Sequence, residues 1–306
     1  MSITGKVEEK SVSLSGCVVL WSLTESTNWE TLKRNLEACD AHAASRGVIP
    51  PRGGFIKCLP ERNTRLAALK KALAKVFSPM GAVIEPLEKK KNSGYQVARR
   101  FATEENGLPV NGTEVLFSVP VPKDGQEPEL FSVKTGNPVP KEHPTIVSLR
   151  AFYHVELGKV PSAKVSKALA DACWRMDGTS LRSRGGVYWL PEKYVKTWAW
   201  LGACLEKAYE GNRLYRLRTA MDPKGVRTIV ERAEREIQQK ADELEAQILS
   251  GSQGQRALES RREDAISLQE RAERYAKIFG GGLESIKTRC DEIDGIATTA
   301  IVQLME

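Results

Sequence analysis

Along the first 222 residues, short apolar runs alternate with stretches whose apolar side chains recur at helical spacing. Residues 16–23, GCVVLWSL, have the length and the β-branched content of a buried strand. From Trp29 onward, Leu32, Leu36 and Cys39 lie three or four residues apart, so they share one face of a predicted helix. Strands and helices mixed in this way predict an α+β fold.

Two similar stretches, RGGFIKCLPE at residues 52–61 and RGGVYWLPE at residues 184–192, indicate an internal duplication. Each has a glycine pair, a strand-like apolar run and then Pro-Glu, which is typical of the first turn of a helix. The apolar run of the first copy is residues 55–59, and RAFYHVEL at residues 150–157 is predicted as the opening strand of the second unit. The alternative is that two helix-opening turns recur by chance.

A β-rich extension of the first unit is predicted between the two copies. Residues 112–122, GTEVLFSVPVP, and residues 129–136, ELFSVKTG, have strand composition and are bounded by turn residues. We therefore divide this part of the chain into a first unit at residues 1–149 and a second at residues 150–222. A winged helix is the alternative fold for residues 161–200, because a helix followed by GGVYWL would match a helix and its wing.

After Pro223 the pattern changes to long polar helices with narrow apolar stripes, so residues 223–306 are predicted as a separate helical module. Breaks at SGSQGQ (250–255) and GGG (280–282) divide it into three helices. The last helix has a coiled-coil-like seam with alternating spacings of three and four: Leu283, Ile286, Cys290, Ile293, Ala297, Ala300 and Leu304. Such a stripe must be buried, either in an intramolecular bundle or against a partner chain, and we favour self-association.

The charge of the chain is unevenly distributed. Of 46 Lys and Arg and 39 Asp and Glu, residues 223–306 hold 13 and 16, which leaves 33 and 23, a net charge of +10, for residues 1–222. This excess favours a polyanionic partner such as nucleic acid, with solubility as the alternative. The candidate phosphate contacts lie at a predicted hairpin tip, beside the second glycine turn and on strands: Lys89, Lys90, Lys91, Arg99, Arg100, Arg182, Arg184, Arg216 and Arg218. The alternative for them is protection of solvated sheet edges.

Motifs that would define an active site are not found. The sequence has no phosphate-binding loop, dinucleotide-binding glycine pattern, nucleophile elbow or zinc-protease motif, so we predict no catalytic residue, no cofactor and no metal ligand. Six scattered cysteines are predicted to be free and mostly buried. Trp189, Trp198 and Trp200 are predicted as core rather than base-stacking residues. An enzyme is the less favoured class, although a site built from distant residues leaves no local motif.

Membrane association is not expected, because no apolar run reaches 18 residues and the first 16 residues lack the apolar core of a secretory signal. We therefore expect a cytoplasmic protein.

The order of a basic first part, the glycine-glycine-aromatic-Leu-Pro stretch at residues 184–192 and a coiled-coil tail resembles a family of uncharacterised proteins from phages and bacterial mobile regions. The resemblance implies a phage or antiviral defence context and no particular reaction. Together with the charge, it leads us to predict a non-enzymatic, nucleic-acid-associated protein that oligomerises through its C-terminal helices. The competing class is an adaptor subunit whose coiled coil docks a separate enzyme.

Overall fold

The computed structural model describes residues 15–24, 27–87, 93–105, 108–182, 186–218, 223–250 and 255–279, and single positions between 288 and 302. Its helices are α1 (Trp29–His42), α2 (Arg65–Phe77), α3 (Pro144–Leu157), α4 (Ser162–Arg175), α5 (Val195–Ala208), α6 (Pro223–Leu249) and α7 (Gln255–Phe279). Its strands are β1 (Gly16–Ser22), β2 (Thr27–Asn28), β3 (Ala82–Pro86), β4 (Gly94–Glu105), β5 (Leu108–Pro120), β6 (Phe131–Ser132), β7 (Lys159–Val160), β8 (Thr179–Ser180), β9 (Val187–Pro191) and β10 (Arg213–Arg218). The mixed α+β class is confirmed.

Packing divides the chain into two units that each draw on separate stretches of sequence. Unit 1 comprises Met1–Leu23, Asn35–Leu59 and Ser166–Glu306, and unit 2 comprises Thr24–Arg34 and Pro60–Val165. The sequence instead predicts three consecutive regions, residues 1–149, 150–222 and 223–306, and that division stays a prediction.

Unit 1 is built on an antiparallel sheet with the strand order β10-β1-β9-β8. Strand β1 lies between two partners from much later in the chain, with Val19 opposite both Tyr188 and Arg216. Trp189 and Trp198 are almost fully buried, as expected of core residues. Because β9 pairs with β1 as well as with β8, residues 161–200 do not form a self-contained winged helix.

The helices after Pro223 bury their apolar stripes inside unit 1. Side chains of α6 and α7 form one buried cluster with Trp189 and with Ile293 from beyond α7: Ile229, Ala233, Ile237, Ala241, Ile248, Leu258, Ala265, Leu268, Ala272 and Tyr275. The predicted helices and the break near residue 250 are confirmed as far as Phe279, whereas coiled-coil packing is not confirmed.

The predicted seam of the last helix is described at one position, Ile293, which is fully buried within this cluster. The other six seam residues, Leu283, Ile286, Cys290, Ala297, Ala300 and Leu304, lie outside the described residues. Burial of Ile293 by its own chain favours the intramolecular alternative at this position, and self-association through the rest of the seam stays a prediction.

Unit 2 packs α2 and α3 together beside a sheet with the order β3-β4-β5-β6. On α2, Ala68, Leu69, Ala72 and Leu73 are all fully buried, which places the polar residues of this helix on its remaining surface. Helix α2 begins at Arg65 rather than at the predicted Pro60-Glu61 turn, because the hydroxyl of Thr64 accepts a hydrogen bond from the backbone N–H of Ala67.

The two RGG stretches have different structures, so the proposed duplication is not confirmed. Residues 55–58 form a 3-10 turn instead of the predicted strand, whereas the corresponding residues of the second copy form β9. The carboxylate of Asp40 accepts the backbone N–H groups of Phe55 and Ile56 at 2.6 and 2.9 Å, which fixes the turn. Gly54 has a φ of 88°, and a Cβ there would lie 2.9 Å from Asp40 Oδ1.

The glycine that corresponds to Gly54 in the second copy serves another purpose. A Cβ at Gly186 would overlap the ring of Trp21, which stacks on Tyr188 with 5.7 Å between ring centroids. The first glycine pair therefore permits a turn, and Gly186 permits an aromatic ring to lie against the backbone.

The strand predicted at residues 150–157 is wrong, because these residues form the second half of α3. Pro144 occupies the first turn, and His143 Nδ1 accepts a hydrogen bond from the N–H of Thr145. Ile146, Leu149 and Tyr153, at spacings of three and four, are buried against α2. The β-branched and aromatic content that favoured a strand thus forms the buried face of a helix.

We expect Ile293→Asp to lower the free energy of unfolding by about 2–7 kcal/mol, because it places an unpaired carboxylate in an apolar cluster. Ile266→Asp is the matched control, since Ile266 on α7 is 40% exposed. Urea unfolding of both variants measures the difference, and sedimentation reports assembly. A folded Ile293→Asp monomer from an oligomeric parent, with unchanged stability, would contradict internal burial and favour the self-association seam.

Candidate functional site

The predicted cations Arg99 and Arg100 lie exposed on β4, where acidic side chains partly neutralise them. Arg99 stands opposite Glu114 in the β4–β5 register, and Arg100 Nη2 is 3.7 Å from Glu85 Oε1. A hydrogen bond from Lys134 at 2.8 Å, together with the charges of Lys134 and Arg99, lowers the pKa of the Glu114 carboxyl. These arginines are therefore less available to phosphate than the sequence indicated.

The other predicted cations do not form one described group. Arg182 and Arg216 are exposed in unit 1, and Arg218 is the last residue of β10. Lys89, Lys90, Lys91 and Arg184 lie outside the described residues.

Helix α2 and the residues just before it carry cations that are not among the predicted phosphate contacts. We call Arg62, Arg65, Lys70, Lys71 and Lys75 the cationic segment; residues 62–84 contain these five Lys and Arg and no Asp or Glu. Arg65 pairs with Asp124 at 2.9 Å and Lys75 with the buried Glu156 at 2.7 Å. Lys70 is exposed, Lys71 is half-buried, and neither forms an ion pair with a described residue. The absence of Asp and Glu from residues 62–84 is the sequence signal that identifies this segment.

The aromatic ring of Trp29 contacts the start of the cationic segment. Lys33 Nζ and Arg62 Cζ each lie 5.5 Å from the centroid of the Trp29 ring, whose Nε1 donates to Pro60 O at 2.9 Å. Lys164 Nζ donates to Arg62 O at 3.2 Å and to Glu61 at 3.1 Å. Several positive charges are thus concentrated before the first turn of α2.

A second group of charges surrounds the C-terminus of α4 in unit 1. Arg271 Nη1 donates to Trp174 O at 2.6 Å, and Arg52 Nε donates to Arg175 O at 3.3 Å. The last carbonyls of a helix lack intrahelical partners and form the negative end of its dipole, so they attract cations. The chain then turns through Asp177, at a φ of 54°, and Arg271 Nη2 donates to Gly178 O at 2.6 Å.

Asp177 adds a carboxylate to this group, and its side chain is completely buried. Lys193 Nζ lies 3.1 Å from Oδ2, and Arg274 Nε lies 2.9 Å from Oδ1. Burial, and the positive charges of Arg274 and Arg271, lower the pKa of Arg52 despite the opposing charge of Asp177. We call these residues, Arg52, Asp177, Lys193, Arg271 and Arg274, the α4 cap cluster.

Aromatic side chains enclose Arg271, which has no solvent exposure. Its guanidinium carbon lies 3.1 Å from the centroid of the Trp174 ring and 4.9 Å from that of Tyr275. The Tyr275 hydroxyl accepts from Arg271 Nη2 at 2.6 Å and donates to Gly178 O at 2.9 Å. Burial raises the pKa of Tyr275 to about 12, which keeps this donor protonated at neutral pH.

The geometry of the α4 cap cluster is that of an anchor. Its cations are bound by backbone carbonyls and by Asp177, and Arg271 and Arg274 connect α7 to the end of α4. Among the described residues, no group of three or more His, Cys, Asp and Glu side chains is placed to hold a metal ion. No helix within the same residues is long and apolar enough to cross a membrane.

These features define a mixed α+β protein with an antiparallel sheet and a helical hairpin made of α6 and α7. The buried Arg271 attaches this hairpin to the end of α4. The chain belongs to a family of unknown function (DUF6744), whose model matches residues 83–299. The matched range includes α4 and α7, and it begins after the cationic segment. No curated protein and no solved structure matches the chain.

We expect Arg271→Lys to lower the free energy of unfolding by about 1.5–3 kcal/mol, because an ammonium group cannot donate to both Trp174 O and Gly178 O and a charged hydrogen bond is lost. Arg256→Lys, at an exposed position of the same helix, is the control. Urea unfolding measures both, and equal stability of the two variants would contradict the anchoring role.

Glu236 gives a pH-dependent prediction. Burial raises the pKa of its carboxyl above the ordinary 4.5, with Arg271 and the Ser180 N–H opposing the shift. The folded state therefore holds the proton more tightly, and this contribution to stability, complete below pH 4.5, is lost as the pH rises through the folded-state pKa. We expect the stability of Glu236→Gln relative to the parent to increase from pH 4.5 towards neutrality in urea unfolding. A difference that shrinks over this range would contradict the shift.

Proposed function

We propose that this protein binds nucleic acid without catalysing a reaction on it, and that the cationic segment makes the principal contacts. The proposal rests on the charge of α2 and of the residues just before and after it. Positions 62 to 84 contain five Lys and Arg and no acidic residue. Helices of globular proteins usually mix both signs on their solvent faces, so an acid-free helix favours an anionic partner.

The side chains of the cationic segment fit phosphate contacts better than base recognition. Lys70 and Lys71 are not bound to described acidic residues, so no ion pair with them has to be broken before they contact phosphate. Lysines contact phosphates as point charges and carry no sequence information in doing so. We therefore infer binding that depends strongly on salt and weakly on sequence.

The context that we propose is a phage or a bacterial defence system. It is supported by the resemblance carried by residues 184–192 and the helical tail. In this context the helical hairpin serves as a scaffold, and self-association would use the part of the tail beyond Phe279.

Exchange of both lysines, Lys70→Glu with Lys71→Glu, should weaken binding to mixed-sequence DNA and RNA oligonucleotides. We expect the slope of log K against log salt to become shallower by about 0.9 for each duplex phosphate that the variant no longer neutralises, because fewer counterions are released. Fluorescence anisotropy of labelled oligonucleotides over a series of salt concentrations measures both the affinity and the slope.

The matched control is Arg235→Glu with Lys277→Glu, which makes the same charge change at exposed positions of α6 and α7. It should leave most of the affinity in place. Equal reductions of affinity in the two double variants would show that net charge alone governs binding, and absence of binding by the parent at low salt would contradict the proposed function.

A further inference from the structure

Two cysteines from distant parts of the sequence meet inside unit 1. Cys39 lies on α1 and Cys204 on α5, 165 residues apart, and their Sγ atoms are 3.2 Å from each other in a thiol hydrogen bond. Asn35 Nδ2, one turn before Cys39, donates to Cys204 O at 3.3 Å and joins the same helices. Both sulfurs are reduced in this structure.

The two thiols differ in their access to solvent. Cys204 is 4% exposed, whereas Cys39 is half-buried. Burial, and then the hydrogen bond with Cys39, raises the pKa of the Cys204 thiol. An oxidant in solution therefore reaches Cys39 first, and Cys204 is the neighbouring sulfur that can react with the product.

We propose that Cys39 and Cys204 form an oxidative modification site, at which peroxide converts the thiol pair into a disulfide between α1 and α5. The Sγ atoms must approach from 3.2 Å to a bond length of ~2.05 Å, a change of about 1 Å. This site is independent of the cationic segment and of the proposed nucleic-acid binding.

The reaction proceeds in two balanced steps with hydrogen peroxide as the oxidant. The Cys39 sulfur attacks one peroxide oxygen, the O–O bond breaks, and sulfenic acid and one water form. The Cys204 sulfur then attacks the sulfenic sulfur, the S–O bond breaks, and the hydroxyl leaves as a second water with the thiol proton. Two thiols are oxidised by two electrons, which the peroxide accepts.

A disulfide here would join α1 and α5, which the hydrogen bond from Asn35 to Cys204 O already connects. Asp40, the residue after Cys39, fixes the 3-10 turn by binding the N–H groups of Phe55 and Ile56. Because the bond joins residues 165 apart, it restricts the unfolded chain strongly. The oxidised protein should therefore unfold at a higher temperature than the reduced protein, by several degrees, and a dithiol reductant should reverse the shift.

The test uses the full chain with Cys290→Ser, which prevents cross-linking through a cysteine outside the described residues. After peroxide treatment we expect an intact mass lower by two hydrogen atoms. Tryptic digestion without reduction should join residues 35–46 to residues 197–207, each of which contains one cysteine. Thermal unfolding before and after addition of reductant measures the stabilisation.

Control variants separate this pair from the other cysteines. Cys204→Ser should abolish the cross-link and leave Cys39 as a sulfur oxide, whereas Cys58→Ser should retain the cross-link. Burial raises the pKa of Cys58 to about 12, so its thiol reacts slowly. The proposal is overturned if Cys39 in the parent accumulates as sulfinic acid, stays reduced, or is linked to a cysteine other than Cys204.

Discussion

The C-terminus of α4 is the constraint on which the rest of unit 1 depends. Its final carbonyls lack helix N–H donors, so they take hydrogen bonds from elsewhere. Arg271 on α7 donates to Trp174 O and to Gly178 O in the turn that follows α4, and Arg52 donates to Arg175 O from the glycine turn that follows α1. One helix end thereby fixes the position of two distant segments of the same unit.

Nearby groups compensate part of the buried charge at this helix end. Asp177 balances Lys193 and Arg274, and the planar guanidinium of Arg271 stacks on Trp174, which replaces part of its hydration. The hairpin also buries an apolar cluster around Trp189, so its attachment combines hydrophobic area with directional bonds. Burial of the apolar cluster stabilises the hairpin, and Arg271 specifies the register of the hairpin against the end of α4.

The sequence shows an excess of cations in residues 1–222, but in the structure acidic neighbours partly neutralise some of these cations. In the sequence Arg99 and Arg100 are adjacent cations, yet Glu85 and Glu114 lie beside them across the sheet. Lys70 and Lys71 belong to an ordinary amphipathic helix in the sequence, and in the structure they form no ion pair with a described residue. Cross-strand neighbours come from other parts of the chain, so residue spacing alone cannot show which cations are neutralised.

The sequence by itself determined the elements with a local periodic signal: β1, α1, α5, the break near residue 250 and the helical character of α6 and α7. It could not determine residues 55–58 or 150–157, because a short apolar run takes the conformation that its burial partners favour. Tertiary structure decided that Asp40 bends the first run into a turn and that α2 packs against the second as a helix. The α4 cap cluster and the Cys39–Cys204 pair also depend on tertiary structure. Their carbonyls, guanidiniums and thiols come from positions about a hundred residues or more apart, so no local sequence pattern reveals them.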